Sequence, residues 1–215
     1  MKILICAGHT LKGKGTGAVG YINESKENRE LSNIVVKYLK LAGHTVDYYE
    51  INEANDYLQK QVAAANSKDY DLVVQIHFNA FKLVEGSMGT ETYYISDSGK
   101  VWAEKINDKL STVFKSRGVK KGTGLYWLKN TRSISVLIET CFVDSKHDTD
   151  TYKVNKEHVG KLIAEAINRK EISMPSEVFY RVVAGSYSNK ENAQKQIENL
   201  KKKGIDNAFI DIYKK

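Results

Sequence analysis

The chain has 215 residues and a net charge of +7, from 33 Lys and Arg against 26 Asp and Glu. That length gives room for one sizeable domain plus a small appendage, or for one large domain, with a core that needs no covalent staples. Two cysteines, Cys6 and Cys141, both inside apolar runs, do not make a disulfide scaffold and read as reduced core residues. The opening stretch MKILICAGHT has too short an apolar run for a signal peptide, and no window approaches the roughly 18 apolar residues of a membrane span. The expectation is a soluble protein made in the cytoplasm without membrane insertion, released by something else if it acts outside the cell. The surplus of positive charge favours anionic partners such as nucleic acid, anionic lipid or the polyanions of a Gram-positive wall. Apart from Lys201, Lys202 and Lys203 the lysines are scattered and no nucleic-acid motif accompanies them, so nucleic acid is not the expected partner.

In chain order, apolar runs alternate with helical patterns as βαβ units do. KILICAG (2–8) predicts a strand and KENRELSNIVVKYLKLAG (26–43) an amphipathic helix closed by Gly43. HTVDYYE (44–50) predicts a second strand, NDYLQKQVAAANS (55–67) a helix, and DLVVQIHFNA (71–80) a strand covered on both faces. GTETYYIS (89–96) reads as a strand, GKVWAEKINDKLSTVFKSRG (99–118) as a long helix, and GLYWL (124–128) and ISVLIET (134–140) as two further strands. NKEHVGKLIAEAINRK (155–170) is the last helix of this part. The fold class is α/β, a three-layer sandwich with a largely parallel central sheet of about six strands.

The only proline, Pro175, follows that helix where the composition turns polar, so the domains are drawn at 1–173 and 174–215. The tail reads as a strand in FYRVVAGSYS, a helix in NKENAQKQIENLKKKG and a strand in DNAFIDIYKK, one βαβ unit. So small a unit has little surface to bury, and with no cysteine in it a partner is implied.

Polar residues at strand ends carry the candidate chemistry, because the carboxyl ends of strands in open α/β sheets form the ligand crevice. His9 follows the first strand, His77 ends the third, and Glu139 lies at the end of the last; Glu24 closes the glycine-rich loop before the first helix. Two imidazoles, a carboxylate and an open position are the donor set of a catalytic zinc (Zn2+) site, and a second carboxylate could carry the proton. Each residue also has a plain structural reading: a satisfied core histidine, a helix-favouring Glu24, a Glu139 paired with lysine. His44, His147 and His158 read as structural or solvated. LKGKGTGAVG lacks the GxxxxGK[ST] pattern of a phosphate cradle and reads as a flexible loop at the cleft rim.

The motifs ILICAGHT, YINES, VVQIHFNA and VLIETCFVD, in that order over about residues 1 to 170, resemble the zinc-dependent N-acetylmuramoyl-L-alanine amidases of bacterial autolysins and phage endolysins. By that resemblance His9, Glu24 and His77 are the zinc ligands, Glu139 is the catalytic carboxylate, and Asn79 shapes the site around His77. The family's first motif commonly reads D-P-G-H-G, while here it is Cys6-Ala7-Gly8-His9-Thr10. The resemblance implies hydrolysis of the amide between N-acetylmuramic acid and L-alanine in Gram-positive peptidoglycan. The expected setting is a phage or prophage endolysin freed by holin-type release, with a sporulation or mother-cell autolysin freed by lysis as the alternative. Other readings keep the zinc site but change the bond, to a stem-peptide bond or a sugar acetyl group, or make the chain a non-catalytic wall-binding protein. FYRVVAGSYSNKENAQKQIENLKKKGIDNAFI resembles one half-repeat of a SPOR-type peptidoglycan-binding domain. Strand alternation then leaves Arg181 and Val183 on the open, wall-facing sheet surface, with valine where the family often has glutamine. The missing half implies a homodimer through paired tails.

Overall fold

The computed structural model describes residues 1–173 and 182–212. By its contacts the chain forms two compact units, Met1–Met174 and Pro175–Lys215. The first contains β1 (Lys2–Ala7), α1 (Glu24–Leu41), β2 (Thr45–Tyr49), α2 (Tyr57–Ala65), β3 (Leu72–Asn79) and β4 (Thr90–Tyr94), followed by α3 (Asp97–Leu110), β5 (Ser116–Lys121), α4 (Tyr126–Asn130), β6 (Ser135–Phe142) and α5 (Lys146–Asn168). The six strands form one sheet in the order β2-β1-β3-β6-β4-β5. All neighbours are parallel except β4 and β6, so the largely parallel α/β sandwich stands.

Alternation along the strands sorts the core into two layers. Ile3, Ile5, Val74, Ile76, Val136 and Ile138 pack with Leu31 and Val35 of α1, Trp102 of α3 and Val159 of α5. Leu4, Cys6, Val73 and Leu137 face the other way, against Val62 of α2 and Trp127 of α4. Both cysteines are free and buried. The chain leaves β1 for β2 on one side and returns to β3 on the other, so the crevice between the carboxyl ends of β1 and β3 is the topological switch point. Among the described residues no helix is long and apolar enough to cross a membrane.

Three elements differ from expectation, and the strand count survives because the first two differences offset. The helix expected over 99–118 stops at Leu110, where Ser111 Oγ and Thr112 Oγ1 donate to the carbonyls of Asp108 and Lys109, each at 2.7 Å. Such local side-chain bonds offer the backbone an alternative to helix continuation, and the residues beyond become β5. The strand expected at 124–128 is instead the short helix α4, whose Trp127 Nε1 donates to the carbonyl of Val136 at 3.2 Å. A brief apolar run fits either state, and here a turn closed by Leu125 N–H on Gly122 O sets the helix. Helix α5 starts nine residues before the expected position 155, capped by Ser145, whose Oγ accepts from Asp148 N–H at 3.1 Å.

In the second unit α6 (Lys190–Lys202) forms as expected, capped by Asn189, which accepts from Glu191 N–H at 2.7 Å. Neither expected flanking strand is present among the described residues of this unit. A strand draws its backbone hydrogen bonds from a neighbour, and one half-unit supplies too little sheet to provide them. No residue of α6 is buried, and Val183 is 70% exposed. Tyr180 and Arg181 lie outside the described residues.

Candidate active site

His9, Glu24 and His77 converge at the switch point, with one ligand atom of each within 4.8 Å of the others; among the described residues they are the one such group. Strand β3 delivers His77, while α1 begins at Glu24 behind the Asn23 cap, which accepts from Lys26 N–H at 3.1 Å. The loop after β1 folds back to present His9 in the left-handed region, at φ 61°. A non-glycine residue there is uncommon and marks a position held by its surroundings. The holding groups come from α1: Asn28 Nδ2 donates to Gly8 O at 3.1 Å, and Arg29 Nη2 to His9 O at 3.3 Å and Ile51 O at 2.6 Å.

Glu24 Oε1 lies 3.2 Å from His9 Nε2 and 3.0 Å from His77 Nδ1, and accepts from Phe78 N–H at 3.2 Å. Its Oε2 accepts from Ala18 N–H at 2.9 Å. The Nδ1–H of His9 donates to Gly15 O at 2.9 Å, which leaves Nε2 as the nitrogen facing Glu24. Burial opposes the Glu24 charge, yet hydrogen bonds from His77 and His9 hold its carboxyl far below the usual range. Burial keeps the His77 imidazole below its ordinary pKa, in the neutral form a metal ligand needs, and its Nε2 is buried without a partner. Two of the rim glycines are steric necessities. A Cβ on Gly8 would sit 2.3 Å from the His77 ring, and one on Gly17, at φ +73°, would sit 2.7 Å from Glu24 Oε2.

Glu139 is the register partner of His77 across β3 and β6, so both side chains project from the same sheet face. Its Oε2 is buried with no hydrogen-bond partner. Burial first, then the charges of Glu24 and Glu91, push its carboxyl well above the usual carboxylate range. Asn79 Nδ2 donates to Glu91 Oε1 at 2.9 Å, and its Oδ1 accepts from Ala80 N–H at 2.8 Å. Glu91 was not among the residues expected from sequence. Its signal was a glutamate in the middle of the strand pattern Thr90-Glu91-Thr92-Tyr93, a costly placement without partners. His44, as expected, is structural, with Nε2 3.1 Å from Asn168 Oδ1.

Two imidazoles and a carboxylate beside a second, buried carboxylate make a donor set of the kind that can hold a metal ion, with a candidate proton carrier next to it. Residues 3–169 match the N-acetylmuramoyl-L-alanine amidase family, to which the chain belongs, and residues 161–211 match the SPOR domain. The chain is 41% identical over 180 residues to an uncharacterized protein of Clostridium perfringens, covering 80% of this chain and 53% of that one. It is 31% identical over 158 residues to the N-acetylmuramoyl-L-alanine amidase LytC of Bacillus subtilis, covering 70% of this chain and 31% of that protein. The catalytic domain of CD27L endolysin, described as targeting Clostridia difficile, superposes with TM-score 0.74 at 36% identity, covering 80% of this chain and 99% of that domain. The chain spans about half the length of the first curated relatives it matches, 53% in each of two Clostridium perfringens proteins.

Proposed function

We propose that the protein is a zinc-dependent peptidoglycan amidase that cleaves the bond between N-acetylmuramic acid and the L-alanine of the stem peptide. The observation that carries this reading is the convergence of His9, Glu24 and His77 beside a buried Glu139 that lacks a hydrogen-bond partner. Two nitrogens and one carboxylate oxygen, with the His9 tautomer fixed by Gly15, suit Zn2+, and the chemistry supplied by zinc at such a site is water activation and carbonyl polarisation. The chain's own residues do the rest. Glu139, facing the same side as His77, accepts a proton from the attacking water and returns it to the departing alanine amine. Its buried Oε2, which meets no protein hydrogen-bond partner, is the atom left available for both transfers. Asn79, held by Glu91, keeps the end of β3 in place beside His77.

The tail is proposed as the wall-binding part, supported by the SPOR match over 161–211. Its helix buries none of its residues, and Val182 and Phe209 are 99% and 75% exposed, so no core forms among the described residues of this unit. Pairing of two tails, making the protein a homodimer, would supply one; a tail that sediments as a folded monomer at micromolar concentration would exclude it. Action on the wall after holin-type release or cell lysis is part of the same proposal, and retention of the protein inside intact host cells until lysis is its expected signature. The deciding experiment is turbidity loss of purified Gram-positive walls, with and without a chelator, followed by mass analysis of the soluble products. Chelator-sensitive release of stem peptides with new L-alanine amino termini supports the amidase. Binding without release would make wall attachment the main activity instead.

A further inference from the structure

The sheet face that carries His77 and Glu139 continues into a cationic pair that the amide-cleaving step does not use. Glu91 is the antiparallel register partner of Glu139, so His77, Glu139 and Glu91 form one row across β3, β6 and β4. In the next strand the register slips between Thr90 and Thr92, with Gly118 at φ +77°. That bulge turns both Arg117 and Lys120 towards Glu91, where simple alternation would put them on opposite faces. Arg117 Nε donates to Glu91 Oε2 at 2.7 Å, Lys120 Nζ donates to the same oxygen, and Tyr93 Oη donates to Oε1 at 2.7 Å.

Glu91 is only 3% exposed at its side chain, whereas Arg117 and Lys120 are 38% and 39% exposed. Two cations share one buried carboxylate, so a net positive charge faces the solvent beside the catalytic row. The guanidinium is also fixed in orientation, lying 4.9 Å from the centroid of the Phe142 ring at the end of β6. The arrangement is pre-organised: Arg117 Nε donates to Glu91 and Nη1 to Met88 O at 3.4 Å, while Nη2 meets no protein acceptor among the described residues and is the guanidinium nitrogen offered to an anion.

We propose that Arg117 and Lys120 form a subsite for the free carboxylate of the acidic second residue of the stem peptide. This rests on the amidase reading above. The reach fits: one strand spacing of about 4.8 Å from Glu139, plus an ion-pair length of about 3 Å, is close to the roughly 7 Å spanned by two residues of chain. The leaving alanine amine lies at Glu139, and the second residue falls beside the cations.

The test compares two soluble disaccharide-peptides, one with D-isoglutamate and one with amidated D-isoglutamine at the second position, on the full-length protein. Wild type is expected to favour the free carboxylate about tenfold in kcat/KM, mostly through KM. Lys120→Ala should collapse that ratio towards one, and Lys120→Arg should restore it. Arg117→Lys, which keeps the charge but loses the fork, should retain part of it. Equal kcat/KM for the two substrates in wild type overturns the subsite while leaving the amidase intact. So does an equal loss on both substrates in Lys120→Ala. Hydrolysis of neither substrate, together with no L-alanine termini from whole walls, sinks the amidase reading and the subsite with it.

Discussion

At Glu139 the sheet holds a carboxyl group whose buried oxygen meets no donor, and that single fact separates it from the other acids of the site. On the proposed mechanism Glu139→Ala should lower turnover by about a thousandfold while zinc binding is retained, because the proposed acid-base group is removed and the three candidate ligands are untouched. Metal content measured beside turnover checks this, and a variant with near-normal turnover would remove Glu139 from the mechanism. Gly8→Ala makes the complementary prediction. Gly8 is pinned by its N–H on Ile76 O at 2.9 Å and by Asn28 on its carbonyl, so its backbone cannot retreat and the His77 ring must shift. Displacing a ligand by about 1 Å should reduce turnover by roughly a hundredfold, with metal content falling as well. Unchanged metal binding in that variant would show that the backbone yields instead. The convergence of His9, Glu24 and His77, and the place of Glu139 across from His77, were legible in the sequence because each stands at a strand or loop end with an abrupt change from apolar to polar character. The Glu91 network was not, since its partners come from a bulge in β5, and a bulge breaks the two-residue rule that sequence reading depends on.

Among the elements, α5 shows how a single cap can tie a helix to the site's rim. Ser145 caps it, and its hydroxyl donates to Gly86 O at 2.8 Å, while Asp148 accepts from the N–H groups of Met88 and Gly89 at 3.0 and 2.7 Å. Ser145→Ala should cost about 1 kcal/mol in chemical denaturation, with no change in which bond is cleaved. The pair β4 and β5 carries a pH signature. Burial raises the proton affinity of Glu91, but hydrogen bonds from Lys120, Tyr93 and Arg117 outweigh it and hold the carboxyl below its ordinary value of 4.5. With the folded pKa depressed, this stabilisation is complete above about 4.5 and is lost as the pH falls through the lower folded value. Thermal melts below that pH should therefore drop less steeply for Glu91→Gln than for wild type, although the variant is less stable at neutral pH. Strands β1, β3 and β6 were readable from short Ile-, Val- and Leu-rich runs bounded by polar residues. The exchange of strand for helix at 124–128, and the early end of α3, were not, because side-chain bonds to nearby carbonyls and packing of Trp127 decided them.

On the scale of the whole molecule, two compact units share a chain with an excess of seven positive charges. If anionic wall polymers contribute to adsorption, raising salt from about 0.15 M to 1 M, which shortens the screening length from about 8 to 3 Å, should release much of the protein from walls. Binding that is indifferent to salt would assign adsorption to the tail's uncharged contacts. The division near Pro175 was visible in composition, whereas the tail's flanking strands were not recovered among its described residues, for want of a neighbour strand. The outer edge of the large sheet has a separate consequence for handling the protein. An open strand edge is a template on which another molecule can add a strand, the first step towards fibrils. Here that edge is β5, six residues long, bent at Gly118 and carrying Arg117, Lys120 and Lys121. Charge and curvature both oppose docking of a second strand, so concentrated solutions should resist ordered aggregation at this side of the catalytic unit.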